Sequence, residues 1–314
     1  MRNKITFYGA GNVGATAAHW LAEKEIGDCV LFDIFGQSAA GKALDLYQSA
    51  PAIGFDSRVT GSNDPAIIEG SDVIVVTAGV PRRKDPETGK FPSRDELVKI
   101  NQDVMEVVSE NIKKYAPESI VIVVSNPLDA MCHVVKQITG FPRERIIGQA
   151  GVLDTARYKT FIAMELGISV EDVHGIVLGG HGDTMVPLPR HTSVAGIPIT
   201  ELIAADKLEA IIDRTAKGGG EIVGLLGYSG YYAPAAGVAV MVESILKDKK
   251  RVLPCAVYTQ GEYGYQDLFI GLPVVLGRKG VERIIDMQLN EKERAMLDYS
   301  ADAVRAVVDV LGYD

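Results

Sequence analysis

Cysteine is scarce in this chain of 314 residues. Cys29, Cys132 and Cys255 lie far apart and form no CxxC pair. That excludes a disulfide scaffold and the usual cysteine zinc sites, and no metal is expected. Cys29 and Cys132 have apolar neighbours, so buried free thiols in a reducing compartment are expected. Long hydrophobic runs are also missing. The longest, such as Ile120 to Val124, have strand length and cannot span a bilayer. The first strand pattern begins by residue 5, which leaves no room for a signal or transit peptide. A cytoplasmic protein with no membrane partner is expected. Positive charge is in deficit: 32 Lys and Arg face 41 Asp and Glu, for a net charge of −9. Nucleic acid and acidic membranes are therefore excluded as default partners, and an anionic substrate would need a locally basic site. There is no internal repeat, low-complexity tract or Pro/Ser-rich linker. The rest is ordinary: 47% hydrophobic and 23% charged residues, and length enough for about two domains.

What is present begins at once. An apolar strand, Ile5 to Tyr8, runs into Gly9-Ala10-Gly11-Asn12-Val13-Gly14. A helical stretch follows, then a second apolar strand from Cys29 that ends on Asp33. Each part suits a dinucleotide. Gly9 permits a tight turn, Gly11 lets the backbone approach a pyrophosphate, and Gly14 lets helix and strand pack closely. Asp33 stands where an acid accepts hydrogen bonds from the adenosine ribose hydroxyls. A carboxylate there repels a 2′-phosphate, and no Arg follows in Ile34-Phe35-Gly36, so NAD is favoured over NADP. The glycine spacing alone is weak evidence; strand before, helix after and acid at the second strand end make it specific.

The first half alternates strands and helices. Strands are expected at 4–8, 29–33, 57–60, 72–77, 119–125 and 145–147, and helices at 13–25, 38–48, 95–115 and 129–140. Unbroken apolar runs such as Val73 to Thr77 fit strands buried on both faces of a parallel sheet. The fold class is therefore α/β, a doubly wound parallel sheet over residues 1–148, whose ligands bind outside the C-terminal strand ends. From about residue 150 the pattern changes to long helices near 206–226, 235–247 and 291–311 with strands near 173–178, 251–258 and 268–276. Residues 149–314 read as a mixed α+β domain tightly joined to the first.

His181 sits in Leu178-Gly179-Gly180-His181-Gly182-Asp183, just past a strand end. Its flanking glycines suggest room for the imidazole to meet a ligand. A catalytic His needs an orienting carboxylate, and Asp154 in the next helix upstream is a candidate. Arg157 follows three residues on, on the same helical face. The pair also reads as a plain surface ion pair. Arg82 and Arg83 follow Thr77-Ala78-Gly79-Val80-Pro81. Arg94 precedes a helix, behind Ser93, which reads as its N-cap. Asn126 closes a strand before Pro127 and also reads as a simple turn residue.

Taken together these residues resemble the lactate/malate dehydrogenase family over essentially the whole chain. The motifs are GAGNVG with Asp33, TAGVPR, SRDELVKIN, SNPLD, GVLDTAR and LGGHGDTMVPLP, in the family's order. The resemblance implies an NAD-dependent enzyme that reversibly transfers hydride between (S)-malate and NAD+, giving oxaloacetate and NADH. His181 would move the proton, with Asp154 as its partner. Arg157 would clamp the substrate's C1 carboxylate, Arg94 would polarise the ketone, and Asn126 would hydrogen-bond the reacting oxygen. Asn101 and the Val124-Ser125-Asn126 backbone would line the nicotinamide side. The residue after Pro81 is glutamine in lactate-specific members and arginine in malate-specific ones; here it is Arg82. Burying a second carboxylate without a partner costs several kcal/mol, so Arg82 would select oxaloacetate over pyruvate. Gly230, where lactate-type members tend to carry Thr, leaves space for the larger substrate. The loop from Arg82 to Arg94 is about half a dozen residues longer than usual, and Arg83 is an alternative partner for the distal carboxylate. The nearest competing reading is a lactate or other 2-hydroxyacid dehydrogenase of the same fold. A homo-oligomer, dimer or tetramer, is also implied.

Overall fold

Six parallel strands form the frame on which the first half is wound. In the computed structural model, which describes residues 2–80 and 93–313, they are β1 (Lys4–Tyr8), β2 (Asp28–Phe32), β3 (Val59–Ser62), β4 (Val73–Val76), β5 (Ile120–Val123) and β6 (Ile146–Gly148). Their spatial order is β3-β2-β1-β4-β5-β6, the doubly wound arrangement. The crossovers are α1 (Asn12–Glu23), α2 (Gly36–Gln48) with the short α3 (Ala50–Ile53), α4 (Arg94–Tyr115) and α5 (Leu128–Thr139). The expected strands all form, the first as expected and the others with ends displaced by one or two residues, because a strand stops where its ladder stops rather than where its apolar run does. Val73 to Val76 are fully buried, as a strand covered on both faces must be. Chain order reverses between β1 and β4, so the loops after Tyr8 and Val76 flank the crevice.

α6 (Gly151–Leu166) leaves β6 after a turn of two residues. The expected single strand over 173–178 is interrupted: β7 (Val173–His174) joins β10 (Ser193–Val194) and β11 (Ile197–Pro198), whereas β8 (Val177–Leu178) pairs with β9 (Val186–Pro187). Gly175 lies at the break. Next come the one-turn α7 (Ile199–Leu202) and two long helices, α8 (Ala205–Leu226) and α9 (Tyr232–Leu246). Small residues of α1 and α9, Ala17, Ala18, Ala235 and Ala239 among them, are buried in one core with Leu21 and Val238. The segment from Ala235 is therefore core packing within the chain.

The long antiparallel pair β12 (Arg251–Gln260) and β13 (Gln266–Gly277) and the edge strand β14 (Gly280–Ile284) complete the sheet. Ala256 of β12 bridges Gly148 of β6, so among the described residues one nine-stranded sheet runs through both halves of the chain. Gly148 permits this approach: a Cβ there would lie 2.7 Å from that of Ala256. α10 (Glu291–Val308) opens with a capping box, Asn290 and Glu293 exchanging hydrogen bonds, and covers β13. No helix among the described residues is long and apolar enough to cross a membrane.

Candidate active site

The glycine turn after β1 is built as the sequence requires. Gly9 has φ +117°, which only glycine adopts without strain. A Cβ on Gly14 would stand 2.2 Å from the Gly9 carbonyl oxygen, so α1 can start this close to the strand only with glycine there. Above Gly11 nothing lies within 4 Å of a Cβ position. α1 has no side-chain cap, so its first N–H groups are left for a ligand. An open cradle over an uncapped helix N-terminus fits a pyrophosphate. Asp33 accepts from the Ala10 N–H at 2.8 Å with one oxygen and from the Phe35 N–H at 3.1 Å with the other. Each oxygen keeps a lone pair, so Asp33 holds the turn in shape while still able to accept from a ribose hydroxyl. Thr77 donates to the Gly9 carbonyl at 2.8 Å, joining the turn to the loop after β4.

Asn101 on α4 is buried, and its amide is fully employed. It accepts from the Val80 N–H at 2.7 Å and donates to the carbonyls of Val80 and Asn126 at 3.1 and 3.0 Å. Asn101 thus fastens the loops after β4 and β5 to each other. Ser125 donates to the Val76 carbonyl at 3.3 Å and also to that of Ala78. Val124 continues the ladder onto the Val76 carbonyl at 2.9 Å. The side chain of Asn126 is exposed at the mouth of the crevice. Ser93 caps α4 in a capping box with Glu96, as its position suggested. Arg94 is the first residue of α4, two turns before Asn101, and only its backbone is described. Arg82 and Arg83 lie outside the described residues.

The second half supplies the other wall. His181 Nδ1 lies 2.9 Å from Asp154 Oδ2, across 27 residues of sequence. Asp154 Oδ1 receives Arg157 Nη1 at 3.4 Å. Asp154 is 2% exposed and Arg157 17%, so this is no surface ion pair. Arg157 Nε is buried with no partner among the described residues. Asp154 engages one edge of this guanidinium and leaves donors to spare, which a substrate carboxylate suits. Gly218 and Gly219 of α8 make room for it: a Cβ on Gly218 would be 3.2 Å from Arg157 Cδ, and one on Gly219 3.6 Å from Nη2.

Of the glycines around His181, Gly182 stands open, with nothing within 4 Å of its Cβ position, but Gly179 and Gly180 do a different job from the one the sequence suggested. A Cβ on Gly179 would meet Ser300 Oγ at 2.7 Å, and one on Gly180 would meet Val304 Cγ2 at 2.4 Å. They let the loop lie flat on α10 rather than clear space around the imidazole. Gly179 bridges Gly271 of β13, and Gly180 N–H donates to Ser300 Oγ at 2.9 Å. His181 N–H donates to Asp129 Oδ2 at 3.0 Å. Sequence reading left Asp129 without a role, although it is the acid of the SNPLD motif. It follows Asn126 by three residues, so its bond to His181 brings the β5 loop to the histidine loop.

Two carboxylates therefore face His181. Burial, the largest influence, works against a charged imidazole. The charge and hydrogen bond of Asp154, with the charge of Asp129, outweigh it and raise the His181 pKa above its ordinary value. Burial pushes the Asp129 carboxyl up to about 6, against the His181 N–H that steadies its charge. Cys29, Cys132 and Cys255 are buried free thiols, as expected. Burial raises all three.

Both halves of the chain resemble known proteins. Residues 3–148 match the lactate/malate dehydrogenase NAD binding domain, and residues 151–310 the lactate/malate dehydrogenase alpha/beta C-terminal domain. A malate dehydrogenase of Roseiflexus sp. (strain RS-1) is 53% identical over 312 residues, 99% of each chain. The solved malate dehydrogenase of Picrophilus torridus superposes with a TM-score of 0.95 at 45% identity, covering 99% of this chain and 98% of its own. A lactate dehydrogenase of Cryptosporidium parvum, solved with lactic acid and nicotinamide adenine dinucleotide, gives 0.94 at 37% identity, covering 100% and 99%.

Proposed function

The chain belongs to the lactate/malate dehydrogenase family, and from that membership we infer that it is an NAD-dependent malate dehydrogenase, interconverting (S)-malate and oxaloacetate. The observation that carries the chemistry is the buried chain His181–Asp154–Arg157.

When bound, the nicotinamide supplies or accepts the hydride at the substrate's C2. The remaining work belongs to side chains of the protein. Asp154 holds Nδ1 of His181, so Nε2 is free to meet the C2 oxygen. Protonated His181 delivers its proton to that oxygen during reduction; neutral His181 removes it during malate oxidation. The raised pKa keeps the imidazole charged to higher pH and so favours reduction near neutrality. Arg157 clamps the C1 carboxylate, using donors that the protein leaves free. Arg94 polarises the ketone, Asn126 holds the reacting oxygen, and Arg82 (or Arg83) pairs with the second carboxylate. Gly9 to Gly14 and Asp33 hold the dinucleotide, with Val124 and Ser125 beside its nicotinamide end.

The deciding experiment pairs two measurements. His181→Asn is expected to abolish turnover while NADH binding, read by fluorescence, persists; near-normal turnover would overturn the assignment. NADH oxidation followed with oxaloacetate and with pyruvate side by side tests the substrate, and a preference for pyruvate would establish the lactate reading instead.

The reaction belongs to the tricarboxylic acid cycle, and buried free thiols suit a cytoplasmic protein. A homo-oligomer, dimer or tetramer, is supported by apolar side chains left exposed on α2 (Leu44, Tyr47) and at the end of α8 (Val223, Leu225).

A further inference from the structure

Ala10, the residue between Gly9 and Gly11, is held at both of its backbone polar groups. Its N–H donates to Asp33 Oδ2 at 2.8 Å. Its carbonyl accepts from Lys42 Nζ at 2.6 Å. Lys42 comes from α2, 32 residues away, and is half-buried, while Ala10 is 2% exposed. Long lysine side chains usually leave their ammonium in water; here it is spent on one backbone carbonyl.

The consequence concerns the next N–H. In a trans peptide the carbonyl of Ala10 and the N–H of Gly11 point in opposite directions. Holding the carbonyl toward α2 turns the Gly11 N–H to the other side, and an added Cβ on Gly11 would meet nothing within 4 Å. The same bond sets a cation within about 5 Å of Gly11 N, by standard peptide dimensions. Neither the glycine turn nor the first turn of α1 carries a positive charge. Asp33, at the same turn, is negative.

We propose that Lys42 is a cofactor-positioning residue: it orients the Ala10–Gly11 peptide toward the dinucleotide's pyrophosphate and supplies the nearby positive charge that offsets Asp33. The proposal rests on the dinucleotide reading above. It differs from a simple tie between α2 and the turn, because a tie would not distinguish ligands with phosphates from those without.

The test uses the full chain and binding rather than turnover. NADH is titrated by its fluorescence, and ADP-ribose and adenosine by displacement of NADH, in the parent, Lys42→Met, Lys42→Gln and Lys42→Arg, with melting curves to establish folding. Lys42→Met is expected to weaken NADH and ADP-ribose on the order of tenfold, the effect of one charge-assisted hydrogen bond, and adenosine less than twofold. Lys42→Gln, which keeps a donor without the charge, falls between. Lys42→Arg recovers most of the loss, and the salt dependence of NADH binding is shallower in Lys42→Met than in the parent. If Lys42→Met does not fold, Lys42→Gln carries the same comparison. NADH affinity within twofold of the parent, or an equal loss for adenosine, would overturn the proposal. A parent chain that binds no NADH would overturn the dinucleotide reading itself.

Discussion

Three glycines in a row inside α8 should behave in three different ways. Gly218, Gly219 and Gly220 occupy the middle of a helix that runs from Ala205 to Leu226. A glycine there costs up to about 1 kcal/mol relative to alanine, because the unfolded chain loses more freedom. The surroundings decide whether alanine recovers it. At Gly220 a Cβ meets nothing within 4 Å, so Gly220→Ala should stabilise by about 0.5–1 kcal/mol. For a chain of 314 residues the entropy of unfolding is about 0.7 kcal/mol per kelvin at ~2.1 cal/mol/K per residue, so the melting temperature should rise by about 1 °C. Gly224 is equally open, and the double variant should gain about 2–3 °C at best. Gly218 is the opposite case. Its Cβ would press on Arg157 Cδ at 3.2 Å, so the guanidinium must shift by a few tenths of an ångström. Gly218→Ala should keep its stability within about 1 kcal/mol but raise the KM for oxaloacetate several-fold through the displaced clamp. Gly219, at 3.6 Å from Nη2, should fall between. Differential scanning fluorimetry and steady-state kinetics on the same preparations suffice. The reasoning fails if Gly220→Ala melts below the parent, or if Gly218→Ala leaves the KM unchanged.

Replacing Asp154 by Asn removes the charge that most raises His181, so the alkaline limb of oxaloacetate reduction should move to lower pH; an unmoved limb would mean another group titrates. His133 accepts from the Phe269 N–H at 3.1 Å, and burial, aided by Lys136, lowers its pKa to about 4. Its folded pKa lies below the unfolded value of about 6.5, so its contribution is complete above pH 6.5 and is lost as the pH falls through 4, by about 3 kcal/mol. Its ring-proton NMR shift should stay that of neutral imidazole down to about pH 5, and titration near 6.5 would contradict the assigned bond. Gly14→Ala should abolish NADH binding or folding, since its Cβ would stand 2.2 Å from the Gly9 oxygen; a variant that binds normally would refute that packing. Arg82→Gln should shift preference from oxaloacetate toward pyruvate by at least tenfold, the usual effect of stranding a buried charge; if only Arg83→Gln does so, the two arginines exchange roles.

Local physics is what sequence reads well. Gly9 to Gly14, Ser93 and the apolar run over Val73 to Val76 announce their structure because turn, cap and buried strand are decided within a few residues. Motifs made the link between His181 and Asp154 legible, although 27 residues separate them. Three features stayed hidden for one reason, that each depends on a partner from a distant element. Asp129 looks like a first-turn acid of α5 until the His181 N–H is seen on it. Gly179 and Gly180 suggest freedom until Ser300 and Val304 of α10 close over them. Lys42 is one more helix lysine until its ammonium is found on Ala10. The strand expected over 173–178 failed differently: Val173 and the apolar run Ile176 to Leu178 read as one strand across His174 and Gly175, but the backbone leaves one sheet for another at Gly175.

The bridge between Gly148 and Ala256 has a consequence for anyone who would cut this chain in two. Residues up to β6 look like a module that could be lent to another protein. Severed there, β6 would keep β5 on one side but become an edge strand, the N–H and C=O groups on its other side unpaired and its apolar Ile146 and Ile147 less well covered. Such a fragment would seek another strand, and in a concentrated solution the nearest is its own copy. The continuous sheet makes the cofactor half dependent on the half that follows it, so the two should be inherited, expressed and engineered as one piece.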